Sequence, residues 1–302
     1  MTRALASPDR TLRLRVATAA VLGPTLIVAA LLDGWHVLLG VPLLAAVSTI
    51  AALGAEELGG LLRKRRGQDK KRAEQPTRIG AALGSLPPLF VYFLGRDYRD
   101  WVLAGLTALI VFNVLAAALG YIADIAKRRL AGLLDAVLLT AGSLYIGGSL
   151  ALLLLLRGLG APAGEPMGCW PVLLLFAITW SVDISAYFSG RAFGRLKIAP
   201  RTSPGKTLEG SLAGLLAAAV VMVIVFFLGL DRWTSMPLAA GSGLVVGVAA
   251  QAGDLVESAV KRWARVKDSG DMLPGHGGIL DRFDSMFLSA PALYVCLVLL
   301  MR

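Results

Sequence analysis

The sequence predicts an all-α, polytopic integral membrane protein of about nine transmembrane helices, with its N-terminus in the cytoplasm. Three observations carry this. Hydrophobic residues make up 56% of the 302 and charged residues only 17%, and the mean hydropathy is +0.70. Apolar runs long enough to cross a bilayer recur along the chain. Lys and Arg concentrate in alternate connections between those runs.

In chain order the runs are Val16–Leu32, Trp35–Ala55, Ile79–Leu94, Trp101–Ile122, Leu133–Leu156, Trp170–Gly190, Ser211–Leu230, Leu238–Ser258 and Ser285–Met301. The third is short and contains Pro87-Pro88, which predicts a kinked or broken helix. With the N-terminus inside, the cytoplasmic connections hold 25 of the 30 basic residues. The outer loops balance to zero, so the whole formal charge of +10 falls on the inner face. Nine spans then leave the C-terminus outside. The first span follows a basic stretch without a convincing small-residue cleavage site and reads as a retained helix.

The cluster at 63–72 follows directly on a span, which points to topology and anionic-lipid attraction rather than nucleic-acid binding. Cys169 and Cys296 lie at different depths and cannot bridge. The longest polar connection, 59–78, is too short to bury a core, so residues 1–302 form a single membrane domain. Few intramembrane charges, chiefly Glu56-Glu57 and Asp135, fall before residue 157. Residues 1–156 therefore read as scaffold, and 157–302 as the part that carries the site. The absence of an internal repeat argues against a transporter built from inverted halves.

Asp254, Glu257, Ser258 and Lys261 share one helical face at the end of the eighth span. Helix-end contacts, Glu257 to Lys261 and Asp254 to Ser258, would account for them on their own. Asp281 and Asp284, however, open the next span, and four acids at adjacent helix ends cannot all stay ionised at low dielectric without cations. Magnesium, held by one or two carboxylates with places left for phosphate oxygens, answers that need. Between the two helix ends, Pro274-Gly275-His276-Gly277-Gly278 can present backbone N–H groups to phosphate, flanked by Lys261, Arg262, Lys267 and Arg282. A second polar group runs through Asp183, Ser185, Tyr187 and Ser203-Pro204-Gly205-Lys206-Thr207-Leu208-Glu209. The spacing does not fit a P-loop; the segment reads as the start of the seventh helix. Carboxylates, metal and cations at headgroup depth describe phosphoryl or nucleotidyl transfer to a lipid.

The run Ser258 to Asp284 resembles the signature of the phosphatidate cytidylyltransferases (CDP-diacylglycerol synthases). Ser258, Lys261, Arg262, Lys267, Asp268, Gly270, Leu273, Pro274, His276, Gly277, Gly278, Asp281, Arg282 and Asp284 all fit the pattern. The segments 183–194 and 203–210 are similar too, except that Gly205 stands where the family commonly has the first of two lysines.

The resemblance implies the reaction of CTP with phosphatidic acid to give CDP-diacylglycerol and pyrophosphate. It implies Asp254 and Asp281 as ligands of Mg2+, with Asp284 and Asp183 behind them and room for a second cation. Lys206, Lys261 and Lys267 would act in catalysis. Ser203, Thr207, Arg262, Asp268, His276, Gly277, Gly278 and Arg282 would bind substrate. The same face would also suit another CTP-dependent lipid kinase or cytidylyltransferase acting on a polyprenol or archaeal lipid. The expected setting is the plasma (inner) membrane with the site on the cytoplasmic face; no nucleic-acid partner is expected, and a homodimer is allowed.

Overall fold

The structure is a computed structural model that describes residues 27–28, 41–65, 78–94, 132–159, 168–232, 234–273 and 277–301. Seven long helices are seen among them: α1 (Val41–Arg65), α2 (Arg78–Leu94), α3 (Gly132–Arg157), α4 (Trp170–Phe193), α5 (Leu208–Phe227), α6 (Met236–Trp263) and α7 (Leu280–Leu300). All but α2 are long and apolar enough to cross a membrane. Helix is the form such sequences must take, because hydrocarbon offers backbone N–H and C=O groups no water to bond. The chain is thus an all-α polytopic membrane protein. The first and fourth predicted spans fall outside the described residues, apart from the short helical piece at 27–28.

Helix boundaries follow local chemistry. Pro171 and Pro237 stand in the first turns of α4 and α6, where a missing N–H costs nothing. Thr207 caps α5, accepting the N–H of Gly210 at 3.2 Å. Helix α5 therefore begins three residues before the predicted start at Ser211. Helix α1 continues ten residues past the predicted end at Ala55, because Leu61 and Leu62 remain buried on one face. Arg63, Lys64 and Arg65 then sit in its last turn, where the helix dipole favours cations. Helix α2 runs through Pro87 and Pro88 as one helix rather than two.

The connection between α4 and α5 was expected to be loop and helix start. It holds a small antiparallel hairpin instead, β1 (Lys197–Ala199) and β2 (Ser203–Thr207), with Lys197 opposite Thr207. Gly205-Lys206-Thr207 is therefore extended strand leading directly into α5, not a phosphate-wrapping loop. Glu209 fastens the base of the hairpin, accepting the N–H of Leu196 at 3.2 Å.

Helices α1, α2 and α3 pack against one another, as do α4 with α5, α5 with α6, and α6 with α7. Helix α7 joins the two groups, meeting α3, α4 and α1 as well as α6. Its Phe287 is 1% exposed and meets Tyr145 of α3 edge to face at 5.5 Å between ring centroids. Where α6 crosses α7, a Cβ on Gly253 would lie 2.4 Å from the carbonyl oxygen of Asp284. Only glycine allows that approach, and it brings Asp254 beside the first turns of α7.

Candidate active site

A cavity of about 560 Å³ opens among α4, the hairpin and the starts of α5 and α7, with α6 behind it. Asp183, Asp254, Asp281 and Asp284 all face it, from three different helices. The predicted meeting of the ends of α6 and α7 is present. Asp183, Asp254 and Asp284 lie close enough to repel one another electrostatically. Lys206 offsets that charge: its Nζ lies 2.7 Å from Asp254 Oδ2 and donates to the Gln251 carbonyl at 3.2 Å. Gln251 in turn donates to the Ser211 carbonyl at 2.9 Å, tying α6 to α5. Ser203 and Thr207 also line the cavity.

Asp281 is engaged differently. Its Oδ1 accepts from Lys261 Nζ at 2.5 Å. Its Oδ2 accepts from the Ser269 N–H at 2.9 Å and the Gly278 N–H at 2.8 Å. The cation between Asp281 and α6 in this structure is thus Lys261, which also pairs with Glu257 at 2.5 Å. Both helix-end contacts anticipated for α6 form, with Ser258 Oγ donating to Asp254 Oδ1 at 3.3 Å. They coexist with the cavity contacts and do not replace them. Glu257 Oε1, at a residue only 7% exposed, has no hydrogen-bond partner among the described residues.

Several expected phosphate-binding residues stand elsewhere. Arg262 donates to the carbonyls of Thr202 at 3.2 Å and Val266 at 3.0 Å, holding the hairpin turn against the end of α6. Lys267 and Asp268 are exposed and do not line the cavity. Gly277 and Gly278 do not line the cavity either, and Arg282 is exposed but near enough to Asp183 to attract it. His276 lies outside the described residues, with Pro274 and Gly275.

Sequence reasoning missed the contribution of Glu57. This α1 residue, 6% exposed, accepts the N–H groups of Ile279 at 2.8 Å and Leu280 at 3.0 Å. A carboxylate from the first half of the chain therefore caps the last helix, where free N–H groups and the helix dipole favour an anion. Ser269 Oγ lies 2.9 Å from both Glu57 Oε2 and Asp281 Oδ2, and its single proton can serve only one of them at a time. A Cβ on Gly278 would fall 2.0 Å from that hydroxyl and 2.3 Å from Glu57 Oε2, so the carboxylate reaches the helix start only past glycine. The signal in the sequence was an acid pair inside an otherwise apolar run; nothing local named its partner.

The donors facing the cavity are hard carboxylate oxygens, which suit magnesium. Among the described residues no group of three or more His, Cys, Asp or Glu side chains forms a ready-made metal cage. Asp254 and Asp281 each already have a protein donor on both carboxylate oxygens, whereas Asp284 accepts from the N–H and hydroxyl of Ser285 through Oδ1 alone.

The profile of the Cytidylyltransferase family matches residues 13–300. A phosphatidate cytidylyltransferase of Brucella abortus (strain 2308) is 44% identical over 156 residues, 51% of this chain and 55% of the relative. Proteins of the same name from Synechocystis sp. (43% over 141 residues, 46% and 47%) and Staphylococcus haemolyticus (41% over 130 residues, 42% and 48%) are similar to it. The chain spans about half the length of the relatives it matches. With the profile running across nearly all of the sequence, the chain belongs to the cytidylyltransferase family.

Proposed function

We propose that the protein is a CTP:phosphatidate cytidylyltransferase, joining CTP and phosphatidic acid into CDP-diacylglycerol with release of pyrophosphate. The observation that carries this reading is the cavity in which Asp183, Asp254 and Asp284 converge from three membrane-length helices around Lys206. The names of the relatives supply the substrates.

An oxygen of the lipid phosphate attacks the α-phosphorus of CTP, a new P–O bond forms, and the bond to the bridging oxygen of pyrophosphate breaks. The nucleophile is already anionic, so no dedicated base is required. What the protein must supply is position and positive charge against the departing pyrophosphate. Lys206 is the cation placed in the cavity to do so, steadied beforehand by Asp254 and the Gln251 carbonyl. Lys261 acts from behind: by bridging Glu257 and Asp281 it holds α6 and α7 in register, so that Asp254 and Asp284 stay adjacent. Magnesium, bound at those carboxylates, would neutralise phosphate charge and polarise the reacting phosphorus.

The reading places the site on the cytoplasmic face of the inner membrane. Supporting this, the guanidinium of Arg65, in the basic end of α1, lies 5.4 Å over the ring of Trp263 at the end of α6. The cavity end of α6 and the basic cluster that marks an inner face are thus on the same side.

Purified protein in detergent, given labelled CTP, magnesium and either phosphatidate or a polyprenyl phosphate, tests the proposal. CDP-diacylglycerol and pyrophosphate in equal amounts are expected. Turnover only with the polyprenyl substrate would move the activity to another lipid, and none with either would remove it.

A further inference from the structure

The mechanism leaves two cavity cations unused. Arg191 and Lys197 both line the cavity, on α4 and β1 respectively. Arg191 donates to the Tyr187 hydroxyl at 3.2 Å. Lys197 forms no ion pair or side-chain hydrogen bond among the described residues, unlike Lys206 and Lys261, which are tied to carboxylates.

Their surroundings are amphipathic on both elements. On α4, Asp183, Tyr187 and Arg191 recur every fourth residue along the cavity wall. The adjoining stripe is apolar and open: Trp180, Ile184 and Phe188 are 39%, 57% and 64% exposed. At β1, Lys197 lines the cavity and is exposed, as are its neighbours Leu196 and Ile198. Asp183 lies about 15 Å along α4 from the end of the helix. The cavity therefore extends below the end of α4, alongside its exposed apolar stripe.

We propose that Arg191 and Lys197 form the phosphate-binding threshold for the lipid substrate. On this assignment a diacyl phospholipid with a phosphomonoester headgroup enters between α4 and the hairpin and lays its chains along Trp180, Ile184 and Phe188. The assignment rests on the reading that the substrate is an anionic lipid. Charge selects the occupant: a free guanidinium edge and an unpaired ammonium match a doubly charged phosphate, and the adjoining apolar stripe matches what a lipid carries and a nucleotide lacks. Nucleotide phosphates would meet Lys206 and the carboxylate side of the cavity instead.

The experiment uses the full chain in mixed micelles, with phosphatidate varied at fixed CTP and the converse. For Arg191→Gln and Lys197→Gln the apparent KM for phosphatidate should rise about tenfold each, with that for CTP within about twofold of wild type. Arg191→Lys and Lys197→Arg should recover most of the loss. Ile184→Ser with Phe188→Ser should raise KM for long-chain phosphatidate but not for a dihexanoyl form. A rise confined to CTP, or no rise at all, overturns the threshold.

Retention of a fluorescent phosphatidate by the protein without CTP, competed by inorganic phosphate, provides a separate arm. Weaker retention in the glutamine variants supports the threshold, and equal retention overturns it. So does displacement by phosphate alone at concentrations comparable to the lipid. Failure of wild-type turnover would instead count against the proposed reaction, and the retention arm would still read the lipid site.

Discussion

Asp254 touches both the Lys206 ammonium and the Ser258 hydroxyl, so replacing its charge alters the cavity without emptying it. Asp254→Asn is expected to lower CTP turnover by about a hundredfold or more, the scale for losing one preorganised charge-stabilising group. An unchanged thermal transition would show that the fold survives. Glu57→Ala should behave in the opposite way, acting first on stability. Two backbone donors and a hydroxyl lose their acceptor in a buried place, a cost of about 3 kcal/mol that a lowered midpoint of unfolding would report. Ser258 as a partner of Asp254 was legible because it lies one helix turn away; Lys206, from another segment, was not. The partner of Glu57 was not, because a hydrogen bond between residues 222 positions apart leaves no local trace.

Among the elements, the crossing of α6 and α7 is the most exacting. Gly253→Val would push a branched side chain into the backbone of Asp284 and separate the helices that carry Asp254 and Asp284. Turnover should fall by more than about tenfold, whereas Ser242→Ala, in the same helix but away from the cavity, should leave it near wild type. Helices of membrane length were readable from composition because the bilayer imposes both their length and their polarity. Their ends were less so. The extension of α1 past Ala55 depends on leucines buried by neighbours, and the hairpin on a three-residue strand whose pairing Glu209 secures from the next helix. Thr207 was within reach of sequence reasoning as a cap; the strand that precedes it was not.

For the molecule as a whole, the charge asymmetry and the contact between Arg65 and Trp263 make a definite expectation about sidedness. With nine spans, alkaline phosphatase fused after Arg302 should be active in the periplasm, and a fluorescent protein at the same point dark. The reverse result would require an even number of spans. Chelation of divalent ions should abolish turnover, and magnesium should restore it, while the helical circular dichroism stays the same. At this scale the two halves of the chain are tied together. Helix α1 supplies a structural member of the loop before α7, and α7 packs against helices from both halves.

That shared anchorage bears on biogenesis. The acceptor on α1 is threaded into the bilayer long before the amides it caps leave the ribosome, and α7 is the last described helix to be made. Until α7 forms, the buried Glu57 carboxylate lacks the backbone donors of Ile279 and Leu280, and Asp254 lacks Asp284 beside it.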